Sequence, residues 1–411
     1  MSFRESYELT IGEFTTWKSG GTPLKSKSEY WNGNIPWISA KNFKETKISR
    51  SDMMITEEGL KKGSRIANVG SILLLVRGSG LFNDIPIGLV VKPVAFNQDL
   101  KSIEVDQSKI TPEYFHFWLR SNKHVLEGLL EHTSIGAGKF DIDRLQSLKV
   151  VIPQKCEQIS IVDTLKLFDD KIELNNHINK NLEEMAQALY KSWFVDFEPF
   201  QDGEFEDSEL GMIPKGWRAV SLNDVCASIS VKHNFNNEKL IFLNTGDIEK
   251  GLFLHCDYSD VNQMPGQAKK SIAKGDILYS EIRPINKHYA YVNFDSDDYV
   301  VSTKLMVIRA TAINNRRLYH YLTSNDIIHK LQNEAESRSG TFPQIRFEHI
   351  RKLMILIADI ETENTFVNFL EDLYNKIDNN NYQSEVLKEL RNALLPKLMS
   401  GEIRVPIEEV N

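Results

Sequence analysis

The phrase KIELNN at residues 171 to 176 returns as KIDNNN at residues 376 to 381, 205 positions later in a chain of 411. The same offset sets Gly70-Ser71-Ile72-Leu73 on Gly275-Asp276-Ile277-Leu278, Leu100 and Ile103 on Leu305 and Ile308, and Tyr114 on Tyr319. It also sets Leu165 on Leu370 and Ala188-Leu189 on Ala393-Leu394. Each match is weak by itself. A single register shared by strand-like and helix-like stretches marks an internal duplication, so the chain is expected to fold as two similar halves.

Charge follows the same division. The net charge of -8 is the sum of +3 over residues 1–150, -9 over 151–210, +4 over 211–356 and -6 over 357–411. Two mildly basic blocks alternate with two acidic ones. The basic blocks read as mixed α/β. SILLLV (71 to 76), IGLVVKPVAF (87 to 96), KLMVIRA (304 to 310) and LMILIA (353 to 358) are short apolar runs bounded by turn formers, the pattern of strands. PEYFHFWLRSN (112 to 122), with Pro112 in its first turn, and NNRRLYHYLTSN (314 to 325) read as one helix in each block.

The acidic blocks read as long helices. Ile161, Leu165, Phe168 and Ile172, then Leu182, Ala186, Leu189 and Trp193, follow the alternating steps of a coiled-coil seam, with Asn175 and Asn179 in the gap. The second block repeats it as Phe366, Leu370, Leu373 and Ile377, then Leu387, Leu394 and Leu398, with Asn380 and Ser384 in the gap. A helix from about 158 to 192 would span roughly 50 Å at 1.5 Å per residue. Two such helices in one chain can pair antiparallel as a strut between the basic blocks. Asn175 and Asn380 would then be buried polar marks that fix register.

Catalytic patterns are missing. GGTPLKS (20 to 26) lacks the glycine that a phosphate loop needs before Lys25, and the lone GxG of RGSGLFNDIPIG reads as a tight turn. There is no methyltransferase tetrapeptide of the NPPY type, no helicase motor and no HExxH or paired metal-ligand spacing. Cys156, Cys226 and Cys256 make neither a disulfide framework nor a zinc site, and no run of about 18 apolar residues exists. A cytoplasmic protein outside the membrane is expected.

Binding features are richer. Candidate DNA-contacting cations are Lys25, Lys41, Lys44, Lys61, Lys62, Arg65, Arg77 and Lys139 in the first half. In the second half they are Lys250, Lys269, Lys270, Arg283, Lys287, Arg338 and Arg346. Such side chains neutralise phosphates, and arginine can read base edges through paired hydrogen bonds. A lysine in a loop is also common as plain solvated surface, so the excess over a whole block weighs more than any one position.

Several stretches resemble the specificity subunits of type I restriction-modification enzymes. They are SGGTPLKSKSEYWNGNIPWIS (19 to 39), VIPQKCEQISIVDTL (151 to 165), ALYKSWFVDFEPF (188 to 200), LGMIPKGWRAVSLNDV (210 to 225) and RNALLPKLMSGEIRV (391 to 405). LIADIETENTFVNFL, at the second helix entry, departs from the pattern by lacking the Pro and Gln. The resemblance implies a fold of two mixed α/β (α+β) target-recognition domains, at 1–150 and 211–356. They would be separated by conserved spacer helices within 151–210 and 357–411, packed antiparallel with an internal pseudo-two-fold repeat. It further implies that each domain reads half of a bipartite site in double-stranded DNA, and that the helices dock two modification subunits. S-adenosylmethionine would sit on those partners, ATP and magnesium on restriction subunits, and no cofactor or metal on this non-catalytic chain. A protein-binding scaffold and a drifted stand-alone DNA methyltransferase are the alternatives from other classes. Strongly salt-dependent DNA binding would argue against the first, and methyl transfer by the isolated chain would favour the second.

Overall fold

The structure is a computed structural model that describes residues 5–43, 46–133, 136–338 and 341–406, without the side chain of Arg338. Lys44 and the Arg338 side chain therefore lie outside the described residues. The chain divides into two units, one formed by Met1–Asn175 with Tyr382–Asn411 and the other by Asn176–Asn381. Both boundaries fall inside long helices, beside the repeated asparagine runs.

In the first unit a five-stranded sheet has the order Thr15–Ser19, Leu100–Val105, Ile72–Leu75, Ile87–Val90, Lys47–Ile48. Its central strand Ile72–Leu75 is wholly buried, as an unbroken apolar run requires. A four-stranded sheet has the order Met54–Ile55, Trp31–Ile38, Val94–Phe96, Arg65–Ala67. The run expected as one strand at 87–96 is thus two strands in different sheets. Pro93, which has no N–H for a ladder, stands just before the second of them. The helix Pro112–Ser121 starts as its sequence dictates, with the Thr111 hydroxyl accepting the Tyr114 N–H at 3.2 Å.

The second unit rebuilds this plan. One sheet has the order Cys226–Ile229, Leu305–Ala310, Ile277–Ser280, Tyr289–Tyr291, and the other Tyr258–Asp260, Lys239–Leu243, Tyr299–Ser302, Ala268–Lys270. The 205 offset survives at the level of pairing. Leu73 opposite Ser102 becomes Leu278 opposite Val307, and the parallel pair Ala95 and Trp37 becomes Val300 and Phe242. Ahead of those strands the first half holds six more residues, so Lys18 opposite Ser102 corresponds to Ile229 opposite Val307 at an offset of 211. The expected helix appears as Asn315–Thr323, followed by a further helix, Asn325–Arg338, beyond the stretch that reads as helical.

The long helices are Lys155–Phe194 and Ile360–Met399, each of 40 residues, or about 60 Å at the helical rise. Within the first unit their partners run in opposite directions. The Ser160 hydroxyl donates to the Pro406 carbonyl, Arg391 meets Asp169, and Asn175 meets Ser384. Ile161 and Leu165 pack there with Leu395 and Leu398, Ile172 is buried, and Phe168, Leu387 and Leu394 are half-buried. Within the second unit Leu182 and Ala186 join Phe366, Leu370 and Ile377 in one core, with Leu189 and Leu373 packed against it. At that end the deepest positions are Tyr190 and Phe194 rather than Leu189 and Trp193. A helix of 3.6 residues per turn drifts away from a strict 3.5 seam, and here the seam rotates toward the body of the unit.

The asparagine gap is hydrogen-bonded rather than left to solvent. Asn175, fully buried, donates from Nδ2 to Gln383 Oε1 at 3.0 Å and to Ser384 Oγ at 3.1 Å. Asn179 donates to Asn381 Oδ1 at 2.7 Å and accepts from Asn380 Nδ2 at 2.8 Å. Buried amides whose partners stand on the opposite helix penalise any slip of one helix along the other. Asn380, half-buried, thus meets Asn179 rather than Asn175, so each copy of the repeated phrase bonds to residues just beyond the other.

Entry to each helix is secured differently in the two halves. Gln158 is buried and bonds three backbone groups, accepting the Thr111 N–H at 2.8 Å and donating to the Lys109 and Pro153 carbonyls at 3.0 and 2.9 Å. At the equivalent place Glu363 accepts the Ala358 N–H at 2.9 Å, and its Oε1 lies 3.1 Å from Nη1 of the fully buried Arg317. The departure of the second half from the sequence pattern is thus a substitution of a buried ion pair for a buried amide.

Candidate nucleic-acid interface

In the first unit the chain leaves the central strand Ile72–Leu75 and at once forms the short strand Arg77–Gly78, which pairs with Gly138–Phe140. Arg77 stands opposite Lys139 and Gly78 opposite Gly138, while the Phe140 N–H donates to the Val76 carbonyl at 3.0 Å. Glycine at 138 is imposed by packing, since a Cβ there would lie 2.9 Å from Cβ of Leu81. The second unit has the same crossing. Ile282 bridges Gln344, and the Ile345 N–H donates to the Glu281 carbonyl at 2.8 Å, all four residues being 205 positions beyond their counterparts.

Basic side chains gather at both crossings. Arg77 and Lys139 are exposed, and among the described residues neither has a carboxylate partner. Glu131 is the residue opposite Lys139 on its other side, but its carboxylate pairs with Arg144 at 3.2 Å. Beside them the ring of Phe82 stacks on His132, with centroids 4.3 Å apart.

In the second unit Arg283 and Lys287 bracket the turn Pro284–Asn286 with left-handed φ of 44° and 57°, and Lys250 has a φ of 48°. The Lys250 N–H donates to the Lys287 carbonyl at 2.8 Å, tying the two loops together. Left-handed backbone is costly for residues with a Cβ and persists where the surroundings enforce it, as at binding sites. Among the described residues six non-glycines have positive φ, and three of the six are these cations. Lys287 is steadied by Asn325 Oδ1 at 2.9 Å and Arg283 by the Thr341 carbonyl at 3.4 Å. Arg346, exposed, lies two residues beyond the bridge.

The remaining candidates are placed less tellingly. Lys61 and Lys62 are exposed in the last turn of the helix Glu57–Gly63, where their charge also suits the helix dipole, and Arg65 is exposed on the strand that follows. Lys25, Lys41 and Lys269 are exposed. Lys41 lines a shallow hollow together with Arg50. Lys270 is a structural residue: half-buried, it donates from Nζ to the Thr303 and Leu305 carbonyls at 3.1 and 2.8 Å, and burial pulls its pKa down. His132 and Phe82 were not among the sequence candidates. Phe82 follows Arg77 by five residues, while His132 is brought beside it only by the crossing, which joins segments about 60 residues apart.

Among the described residues no group of three or more His, Cys, Asp or Glu could hold a metal ion, and no helix is long and apolar enough to cross a membrane. Among the described residues the buried ionisable side chains include Arg317, which pairs with the half-buried Glu363, Asp276, which pairs with Arg309, and two histidines, His116 and His320, whose pKa values burial lowers to about 3.

The sequence matches the type I restriction modification DNA specificity domain twice, over residues 4–184 and 214–389. It is 30% identical to the type I restriction enzyme MjaIX specificity subunit of Methanocaldococcus jannaschii, over 96% of this chain and 92% of that one. It is 44% identical to the HindI specificity subunit of Haemophilus influenzae over 181 residues, 43% of this chain and 39% of that one. The fold resembles the crystal structure of a type I restriction-modification S subunit from M. genitalium, with a TM-score of 0.52 at 16% identity over 96% of each chain. The doubled domain, the crossing that recurs at one offset and the full-length relative place this chain in the family of type I restriction-modification specificity subunits.

Proposed function

We propose that each unit reads one half of a bipartite site in double-stranded DNA and that the paired long helices set the separation of the two halves. As a specificity subunit the chain is a recognition component, not a catalyst. The observation that carries the reading is the duplication itself. A protein that repeats one α/β plan, with basic side chains on the crossing in one copy and beside it in the other, is suited to two separate contacts of the same kind. Modification subunits, two per chain and docked on the helices, would bring S-adenosylmethionine and transfer the methyl group. Restriction subunits would bring ATP, magnesium and cleavage, and the complex would work in the cytoplasm. Recognition falls to the segments 1–150 and 211–356, and docking and spacing to 151–210 and 357–411. Within those segments Lys25, Lys41, Lys61, Lys62, Arg65, Lys269 and Arg346 are assigned to further phosphates of the same duplex.

Exchange of residues 1–150 for the corresponding segment of another specificity subunit tests this. Sequencing of methylated DNA from cells carrying the chimera is expected to show one half-site replaced and the other kept. Two altered half-sites, or none, would refute independent reading.

A further inference from the structure

We infer that Arg77 and Lys139 form a phosphate clamp, a pair that grips the DNA backbone and carries no sequence information. The inference rests on the reading of the first unit as a DNA reader and assigns a role within it. Two like charges directly opposite each other on neighbouring strands repel, so the arrangement is unfavourable until an anion lies between them. Here Glu131, opposite Lys139, offsets the cost only in part. Among the described residues neither cation has an anionic partner, and the one carboxylate in the row, Glu131, is held by Arg144. The row of Arg77, Lys139 and Glu131, taken with Arg144 from the helix Ile142–Gln146, therefore keeps two positive charges in excess on an exposed face.

The fold does not demand those charges. The second unit makes the same crossing with Ile282 and Gln344, so an uncharged pair is compatible with this backbone. The site is also stiff. Gly138 has no room for a side chain, and Phe140 is hydrogen-bonded across to Val76. A fixed pair of cations spaced by one strand separation suits the repeating oxygens of a phosphate backbone better than the edge of a single base. In the second unit the equivalent task falls to Arg283 and Lys287, next to the crossing rather than on it.

The test is the double variant Arg77→Ile with Lys139→Gln, which carries the second unit's own residues, in the full chain assembled with its modification subunits. The probe is a duplex bearing the site mapped by methylation sequencing. Removing one phosphate-neutralising cation flattens the plot of log affinity against log salt by about 0.9. The double variant should be about 1.8 shallower than the original chain, and a rise in salt from about 0.05 to 0.2 M should weaken it about 12-fold less. The methylated sequence should not change, and Arg77→Lys with Lys139→Arg should keep the original slope. An unaltered slope in the double variant overturns the clamp. An altered first half-site overturns it in favour of base reading. Failure of the original chain to bind DNA in a salt-dependent way would instead overturn the recognition reading, so the two failures are distinct.

Discussion

Arg317→Leu is expected to destabilise the second unit by about 3–5 kcal/mol, the range found when one partner of a buried ion pair is removed. Arg317 is fully buried, with Nη1 3.1 Å from Glu363 Oε1, Nη2 donating to the Leu356 carbonyl, and its guanidinium 4.1 Å from the centre of the Phe194 ring. These contacts tie the helix Asn315–Thr323 to the strand Met354–Ile357 and to the start of Ile360–Met399. Burial raises the Glu363 pKa and Arg317 opposes that rise. Loss of the guanidinium would leave a largely buried carboxyl with no counter-charge. Adding Glu363→Gln should recover most of the loss, because it removes the stranded charge and restores the glutamine that the first repeat carries as Gln158. The readout is native-state amide exchange in those segments, which resolves one unit from the other. A loss below about 1 kcal/mol in the single variant, or no recovery in the double, would show that the pair does not hold the helix in place.

That substitution marks how far the sequence could be read. LIADIETENTFVNFL departs from the pattern by its missing Pro and Gln, and the local likeness is weak there. The partner that explains the change, Arg317, lies 46 positions earlier, in a stretch that reads as an ordinary amphipathic helix. Contacts local in sequence were legible. Thr111 with Pro112 announces a helix start, SILLLV a buried strand, and the stepped apolar residues from Ile161 onward a seam. The 205 offset was legible because duplication preserves register even where residues have changed.

What escaped was the joining of distant segments. Arg77 and Lys139 stand in the sequence as two unrelated surface cations, and the pleat of two short strands makes them neighbours. Lys270 reads as part of a basic cluster with Lys269, and the alternation of the strand turns one outward and the other onto backbone carbonyls. The left-handed backbone at Lys250, Arg283 and Lys287 has no glycine or asparagine at those positions to signal it, because tertiary hydrogen bonds impose it.

The first unit should respond to acid through a residue that the second unit lacks. Asp169 lies between two guanidiniums, with Oδ2 3.0 Å from Nη1 of Arg120 and Oδ1 2.5 Å from Nη1 of Arg391. It therefore joins the first long helix both to Pro112–Ser121 and to the second long helix. Burial pushes its carboxyl pKa up, but the two guanidiniums outweigh burial and hold it below the usual range. A carboxyl whose pKa falls on folding stabilises the native state above its unfolded value of about 3.9, and the contribution is lost as pH drops through the folded value. Asp169→Ala should destabilise this unit by about 3 kcal/mol at neutral pH, since it strands two largely buried guanidiniums, and should flatten the loss of stability in acid. The equivalent position in the second unit is Tyr374, whose hydroxyl meets Nε2 of His320 at 2.9 Å and which has no carboxyl to protonate. Amide exchange of both units on lowering the pH from about 6 to 3 separates the effects. Protection in the first unit should fall faster in the original chain than in the variant, and protection in the second unit should be the same in both. Parallel acid responses of the first unit in the two proteins would mean that Asp169 is not the group that titrates.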